Sequence, residues 1–244
     1  TLTRPEAMNA VDRAVADGVG QALEEADRDR DVWVLVITGA GERSFSAGAD
    51  LKALARGESI MPALHPEWGF GGYVNHVIGK PTIAAVNGFA LGGGTEIALA
   101  SDLCVASRSA RFGLPEVKRG IMAGAGGLIR LPAQLPRKVA MEMILTGEPI
   151  DADVALRWGL VNRVVDGNPL EAALELAASV SENAPLAVQA SKRVALRVVE
   201  GGLPDEALAW QVNRREAAAV MATEDAREGT RAFAEKRRPV WRGR

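Results

Sequence analysis

Three short apolar runs constrain this chain more than any other feature of its sequence. "DVWVLVITG" (residues 31–39) is a continuous apolar stretch closed by glycine, the pattern of a strand buried on both faces. "KPTIAAVNG" (80–88) and "SDLCVAS" (101–107) follow it. Between the first two lie the loop "AGERSFSAGAD" and a predicted helix over roughly Tyr73 to Gly79. Strand, helix, strand at this spacing implies parallel pairing through right-handed crossovers, and so an α/β fold. From about residue 137 the period changes. "PRKVAMEMILTG", "DADVALRWG" and three later segments favour helix. In "NPLEAALELAASV", Asn168 is placed to cap, Pro169 takes the first helical position and Glu171 completes a capping-box-like arrangement. Leu170, Ala173, Leu174, Ala177 and Val180 are predicted to share one face, which must cover either the chain's own sheet or another subunit.

Composition removes several function classes. The chain has 244 residues, 48% of them hydrophobic, enough for a proper core. Its 29 basic and 31 acidic residues leave a net charge of −2, so the footprint of a nucleic-acid binder is missing, the basic end "EKRRPVWRGR" being the local exception. One cysteine, Cys104, cannot form an internal disulfide, and with two histidines it gives poor material for a metal site, so none is expected. A reducing, cytoplasmic setting fits, and neither a long apolar span nor a signal-peptide pattern predicts a membrane role. The opening "TLTRPEAMNA" has the character of a strand end running into a turn, and the natural start is expected to lie upstream.

Two glycine-bearing turns carry the chemistry. In "ALGGGTE" (90–96), three glycines after a strand allow torsions closed to other residues and let a ligand approach the main chain. If "TEIALA" opens a helix, the amides around Gly93 and Gly94 point out of its positive end, where developing negative charge is stabilised. The local alternative is a tight turn with Glu96 complementing the helix dipole. A dinucleotide fingerprint fits badly, because "GGGTEI" and "GAGGLI" (124–129) both lack the G-x-G-x-x-G spacing. "SFSAGADLK" (44–52) is a second such turn, whose Ala49 amide is placed to supply another donor. Glu116 in "FGLPEVKRG" follows Pro115, either as an acid in a first helical turn or as a second carboxylate able to share one water with Glu96. On local grounds Asp50 is a cap, Lys52 a solvated charge, Asp102 a loop anchor and Cys104 core, while His65 and His76 are lone histidines. Trp68, Phe70 and Tyr73 in "HPEWGFGGYV" either line an apolar pocket or plug the sheet.

Taken together, "SFSAGADLK", "KPTIAAVNGFALGGGTEIALASD", "FGLPEVKRGIMAGAGG" and "AMEMILTGEPIDADVALRWGLVNRVV" resemble the crotonase, or enoyl-CoA hydratase/isomerase, superfamily, across nearly the whole chain. The resemblance implies a crotonase-type spiral of ββα units over residues 1–185, with a C-terminal helical trimerisation region over 186–244. It implies homotrimers or dimers of trimers, an acyl-CoA substrate, and no cofactor, coenzyme A being part of the substrate. The amides of Ala49 and Gly93 would bind the thioester oxygen. Glu96 and Glu116 match the two catalytic glutamates of the hydratases, with the base role assigned to Glu116 and proton donation or water positioning to Glu96. Ala47, Asp50, Leu51 and Lys52 would contact CoA, and Phe233 and Lys236 match a C-terminal region that reaches CoA in some relatives, often across a subunit boundary. Trp68, Phe70, Tyr73, Ala123 and Gly124 would form the acyl pocket, Ala123 standing where typical short-chain hydratases carry proline. The implied reaction is hydration of an enoyl-CoA, with double-bond isomerisation or non-catalytic acyl-CoA binding as alternatives. Within the family, "FSAGADLKALARGE", the aromatic-glycine loop and "ALRWGLVNRVV" are most similar to the carnitinyl-CoA dehydratases.

Overall fold

The strand-forming runs divide between two four-stranded sheets. In the computed structural model, which describes residues 1–244, β1 (Leu35–Thr38), β3 (Thr82–Val86), β5 (Leu103–Ser107) and β8 (Arg163–Val165) lie side by side in that order, all parallel. The other sheet runs β2 (Ser44–Ser46), β4 (Phe89–Leu91), β6 (Arg111–Gly113) and β7 (Ile150–Asp151), parallel except for the last pair. From β1 to β6 successive strands therefore alternate between sheets, and a helix or 3-10 turn brings the chain back for the next pair. This is the expected spiral of ββα units.

β3 is buried along its whole length, since both of its faces are covered. Ala84 and Val86 join the main core, whereas Ile83 and Ala85 pack with Ala173 beneath α7 (Pro169–Ser181). Truncating a fully buried residue such as Ile83 to alanine costs roughly 2–5 kcal/mol. β1 differs from its expected double-sided burial: Leu35 and Val36 are half-buried, because β1 is the sheet edge, flanked only by the Leu2–Gly39 bridge.

The remaining helices are α1 (Arg13–Arg28), α2 (Leu51–Ala55), α3 (Gly93–Ala100), α4 (Gly127–Gln134), α5 (Arg137–Thr146), α6 (Ala152–Trp158), α8 (Pro185–Ala195), α9 (Ala207–Met221) and α10 (Glu224–Ala234). Four helices, not three, follow α6. None is long and apolar enough to cross a membrane. Asn168 caps α7 by accepting from Leu170 N at 3.0 Å, with Pro169 at the first position, but no return bond from Glu171 forms. Leu170, Ala173 and Ala177 face the sheet as predicted, while Leu176 takes the inward place expected of Leu174, which is 53% exposed. The helix predicted over 73–79 is absent. Gly69, Gly71 and Gly72 all have positive φ, so the chain there is a succession of tight turns that buries Phe70, Tyr73, Val74 and Ile78 one by one.

Candidate active site

The β2–α2 and β4–α3 junctions meet through their backbones. A Cβ on Gly48 would lie 2.9 Å from Gly93 N and from Leu91 O, so only glycine lets the two turns touch. Each glycine of the triplet answers to a different neighbour. A Cβ on Gly92 would sit 2.7 Å from Glu116 Oε1, one on Gly93 2.2 Å from the Phe70 ring, and one on Gly94 2.1 Å from Ser46 O. The bare backbone at Gly93 thus accommodates Phe70, and a side chain there collides with protein before it meets any ligand.

Two amides at this meeting point are free of the secondary-structure ladder. Ala49 bridges Val11, but the bonds run from Val11 N to Gly48 O and from Asp50 N to Val11 O, at 2.8 and 2.9 Å, so Ala49 N faces the other way. Gly93 N opens α3, where first-turn amides have no intrahelical acceptor. Thr95 fixes the helix start, donating to Ala90 O at 2.6 Å and accepting from Gly113 N at 3.0 Å.

Glu96 follows in the first turn of α3 and is 2% exposed. Its Oε1 accepts from Gly127 N at 2.8 Å. Burial pushes its carboxyl up to about 7, opposed by amide bonds from Gly127 and Ala125 and by the charge of Arg130. Glu116 stands at the start of a 3-10 turn, Pro115–Arg119, with Pro115 at its first position. Burial and then the neighbouring Glu96 charge push it up to about 8, and its buried Oε2 has no hydrogen-bond partner. The two carboxyls, 20 residues apart in the chain, are therefore electrostatic neighbours.

Both glutamates line one cavity of 820 Å³, together with Ala47, Ala49, Leu51, Phe70, Gly93, Gly124 and Phe233 from the sequence-derived set. The other expected residues lie elsewhere. Asp50 caps α2, accepting from Lys52 N and Ala53 N at 3.0 and 3.1 Å, and pairs with Arg4 at 2.8 Å. Lys52 and Lys236 are exposed and off the cavity, and Ala123 is buried in the core behind it. Trp68 stacks between His65 and His76, at 4.1 and 4.2 Å, with its ring against Gly20. Tyr73 points to the far end of α3, its hydroxyl 2.8 Å from Ser101 Oγ. The glycine turns send the three aromatics in different directions, and only Phe70 reaches the cavity. Asp102 is a loop anchor, accepting from Thr82 N and pairing with Lys192, both at 2.7 Å.

Spacing gave no sign of several cavity residues. Trp210, Asn213 and Arg214 come from α9, a helix remote in sequence from both glycine turns. Arg119 lies one 3-10 turn beyond Glu116, over the Phe233 ring at 4.0 Å, and that proline-led turn was the one available hint. No group of three or more His, Cys, Asp or Glu side chains is placed to hold a metal ion.

Paired buried carboxyls beside outward-facing amides suit acid–base chemistry on a carbonyl compound whose oxygen gains negative charge. Known proteins similar to this chain in sequence and fold point the same way. The family model described as "Enoyl-CoA hydratase/isomerase" matches residues 1–244. A carnitinyl-CoA dehydratase of Salmonella typhi is 45% identical over 249 aligned positions, which cover 100% of this chain and 94% of that protein. The crystal structure of a carnitinyl-CoA hydratase from Mycobacterium avium superposes with a TM-score of 0.98 at 62% identity, over 99% of this chain and 93% of the other. An enoyl-CoA hydratase from Mycobacterium tuberculosis gives 0.75 at 44% identity, over 99% and 94%. With its spiral of ββα units, its two glycine junctions and its glutamate pair, this chain belongs to the enoyl-CoA hydratase/isomerase family.

Proposed function

We propose that the protein is a hydro-lyase that reversibly adds water across the α,β double bond of an enoyl-CoA thioester. The observation that carries this is the pair of buried carboxyls, Glu116 raised further by the charge of Glu96, that line one cavity with the Ala49 and Gly93 amides. Water oxygen bonds to the β-carbon, the π electrons move toward the thioester, and its oxygen takes negative charge. The two amides stabilise that enolate, each donor contributing on the order of 3 kcal/mol. One glutamate takes a proton from the water and the other delivers one to the α-carbon, so the net change is addition of H₂O.

The hydrogen bonds favour a division of labour opposite to the one assigned from sequence. Glu96 accepts from backbone amides and feels Arg130, which favours its carboxylate, the form of a base. Glu116 has one oxygen, Oε2, without a donor and feels Glu96, which favours its protonated form, that of an acid. Glu96 thus activates the water and Glu116 protonates the α-carbon.

The substrate pair proposed is crotonobetainyl-CoA and carnitinyl-CoA. Relatives named for carnitinyl-CoA support it, as do the Phe70 and Trp210 rings in the cavity wall, which suit a trimethylammonium group. Ala47, Leu51 and Phe233 contact the CoA moiety, and no cofactor beyond the substrate's own CoA is required. Residues 1–185 form the catalytic core, while 186–244 form a helical region that assembles trimers or paired trimers in the cytoplasm. Exposed Leu186, Val194 and Leu208 on that region support the assembly. Turnover against a panel of enoyl-CoAs tests the substrate, and uptake of heavy oxygen from labelled water separates hydration from isomerisation. An enzyme that shifts double bonds without incorporating solvent oxygen contradicts the proposal.

A further inference from the structure

Two buried side-chain polar atoms in the whole chain have no hydrogen-bond partner, Glu116 Oε2 and Asn213 Oδ1. Both residues line the same cavity. A buried unpaired polar atom costs stability, so two in one wall call for a ligand that supplies partners. Glu116 is accounted for by proton transfer. Asn213, 7% exposed on α9, has no part in the reaction so far described.

The orientation of its amide is fixed by chemistry. Nδ2 donates to Gly124 O at 2.9 Å, and since a carbonyl only accepts, nitrogen must face it and Oδ1 must face away. Gly124 opens the turn that leads into α4, and the first amide of that helix, Gly127 N, holds Glu96 at 2.8 Å. One short segment therefore positions both the base and the Asn213 amide. An enoyl chain carries no hydrogen-bond donor near its double bond, whereas water has two and the hydroxyl formed from it keeps one.

Resting on the hydratase function proposed above, we propose that Asn213 is a substrate-contacting residue whose Oδ1 accepts a hydrogen bond from the reacting water and, after addition, from the 3-hydroxyl of the acyl-CoA. The water is then held by both hydrogens. Glu96 removes one as the carbon–oxygen bond forms, and the other stays on oxygen, donated to Asn213.

The test compares KM for 3-hydroxybutyryl-CoA in dehydration with Ki for butyryl-CoA, which lacks the hydroxyl, in wild type, Asn213→Leu and Asn213→Asp. Leucine removes the acceptor, and the preference for the hydroxylated ligand should fall about tenfold, as expected for one lost hydrogen bond, with Ki for butyryl-CoA unchanged. Aspartate keeps an acceptor but cannot donate to Gly124 O, so it should restore the preference while lowering kcat. Where leucine prevents folding, Asn213→Ala gives the same readout. A folded leucine or alanine variant with the wild-type preference, or an aspartate variant as indifferent as leucine, overturns the assignment. Absence of hydration in the wild type itself would instead refute the function on which it rests.

Discussion

Glu116 packs against Gly92 so closely that a methyl group on that glycine would stand 2.7 Å from its Oε1. Gly92 also has φ +55°, a conformation that disfavours side chains. The acid and the amide of Gly93 are thereby separated by one residue's backbone, although Glu116 comes from a different ββα unit of the spiral. Its position depends on an absent side chain.

Gly92→Ala should accordingly displace the carboxyl while leaving both sheets intact. A displacement near 1 Å costs about 10²-fold in rate. Circular dichroism should match wild type while kcat for crotonyl-CoA hydration falls by that order, and a wild-type kcat would dissociate the contact from catalysis.

Replacing either carboxyl by its amide removes proton transfer but keeps volume. Glu96→Gln and Glu116→Gln should each lower kcat about 10²–10⁴-fold, with KM changed far less, measured by loss of enoyl-thioester absorbance. Near-normal turnover in one of them would take that residue out of the mechanism.

Stability should depend on pH in a direction unusual for carboxylates. Both glutamates are raised above the ordinary carboxylate range in the folded chain. The folded state therefore binds more protons than the unfolded one. Stability from these groups is full below the ordinary carboxylate range and is lost as pH rises through about 7 and about 8. Glu116→Gln does not titrate, so it should be more stable than wild type by roughly 1–3 kcal/mol near pH 9, an advantage that fades toward pH 4. Denaturant melts across that range check the sign.

Arg130 joins the catalytic core to the C-terminal helices. Buried, it pairs twice with Glu206, at 3.0 and 2.9 Å, and donates to Val74 O at 2.7 Å, while Trp210 Nε1 holds Glu206 at 2.9 Å. Arg130→Met strands Glu206 and should cost roughly 3–5 kcal/mol. It also removes the cation that lowers Glu96, so the acid limb of the rate profile should move to higher pH. A profile that stays in place while stability falls would confine Arg130 to a structural role.

Much of this architecture is legible in the chain. The apolar runs at 80–88 and 101–107 specify buried parallel strands because a strand covered on both faces needs no alternation. Proline and glycine mark α5, α6 and α7 at their ends because those positions need missing donors or left-handed torsions. α1 goes beyond these expectations. Gly18 and Gly20 lie within it and weaken its helical propensity, yet a Cβ on Gly20 would meet Trp68 at 2.4 Å, so tertiary packing overrides propensity there. Pro132 hides α4 in the same way.

The sequence by itself determined which residue types stand at the two strand-to-helix junctions: glycines where backbones must touch, and acids in the turns that follow. Those are local requirements of torsion and dipole, and neighbouring residues encode them. Tertiary structure alone decided that Glu96 and Glu116 share one cavity, that Phe70 enters it while Trp68 and Tyr73 turn away, and that Asn213 closes it from α9. Desolvation and mutual repulsion of two carboxyls, like the direction of a side chain leaving a glycine turn, arise from groups brought together by folding.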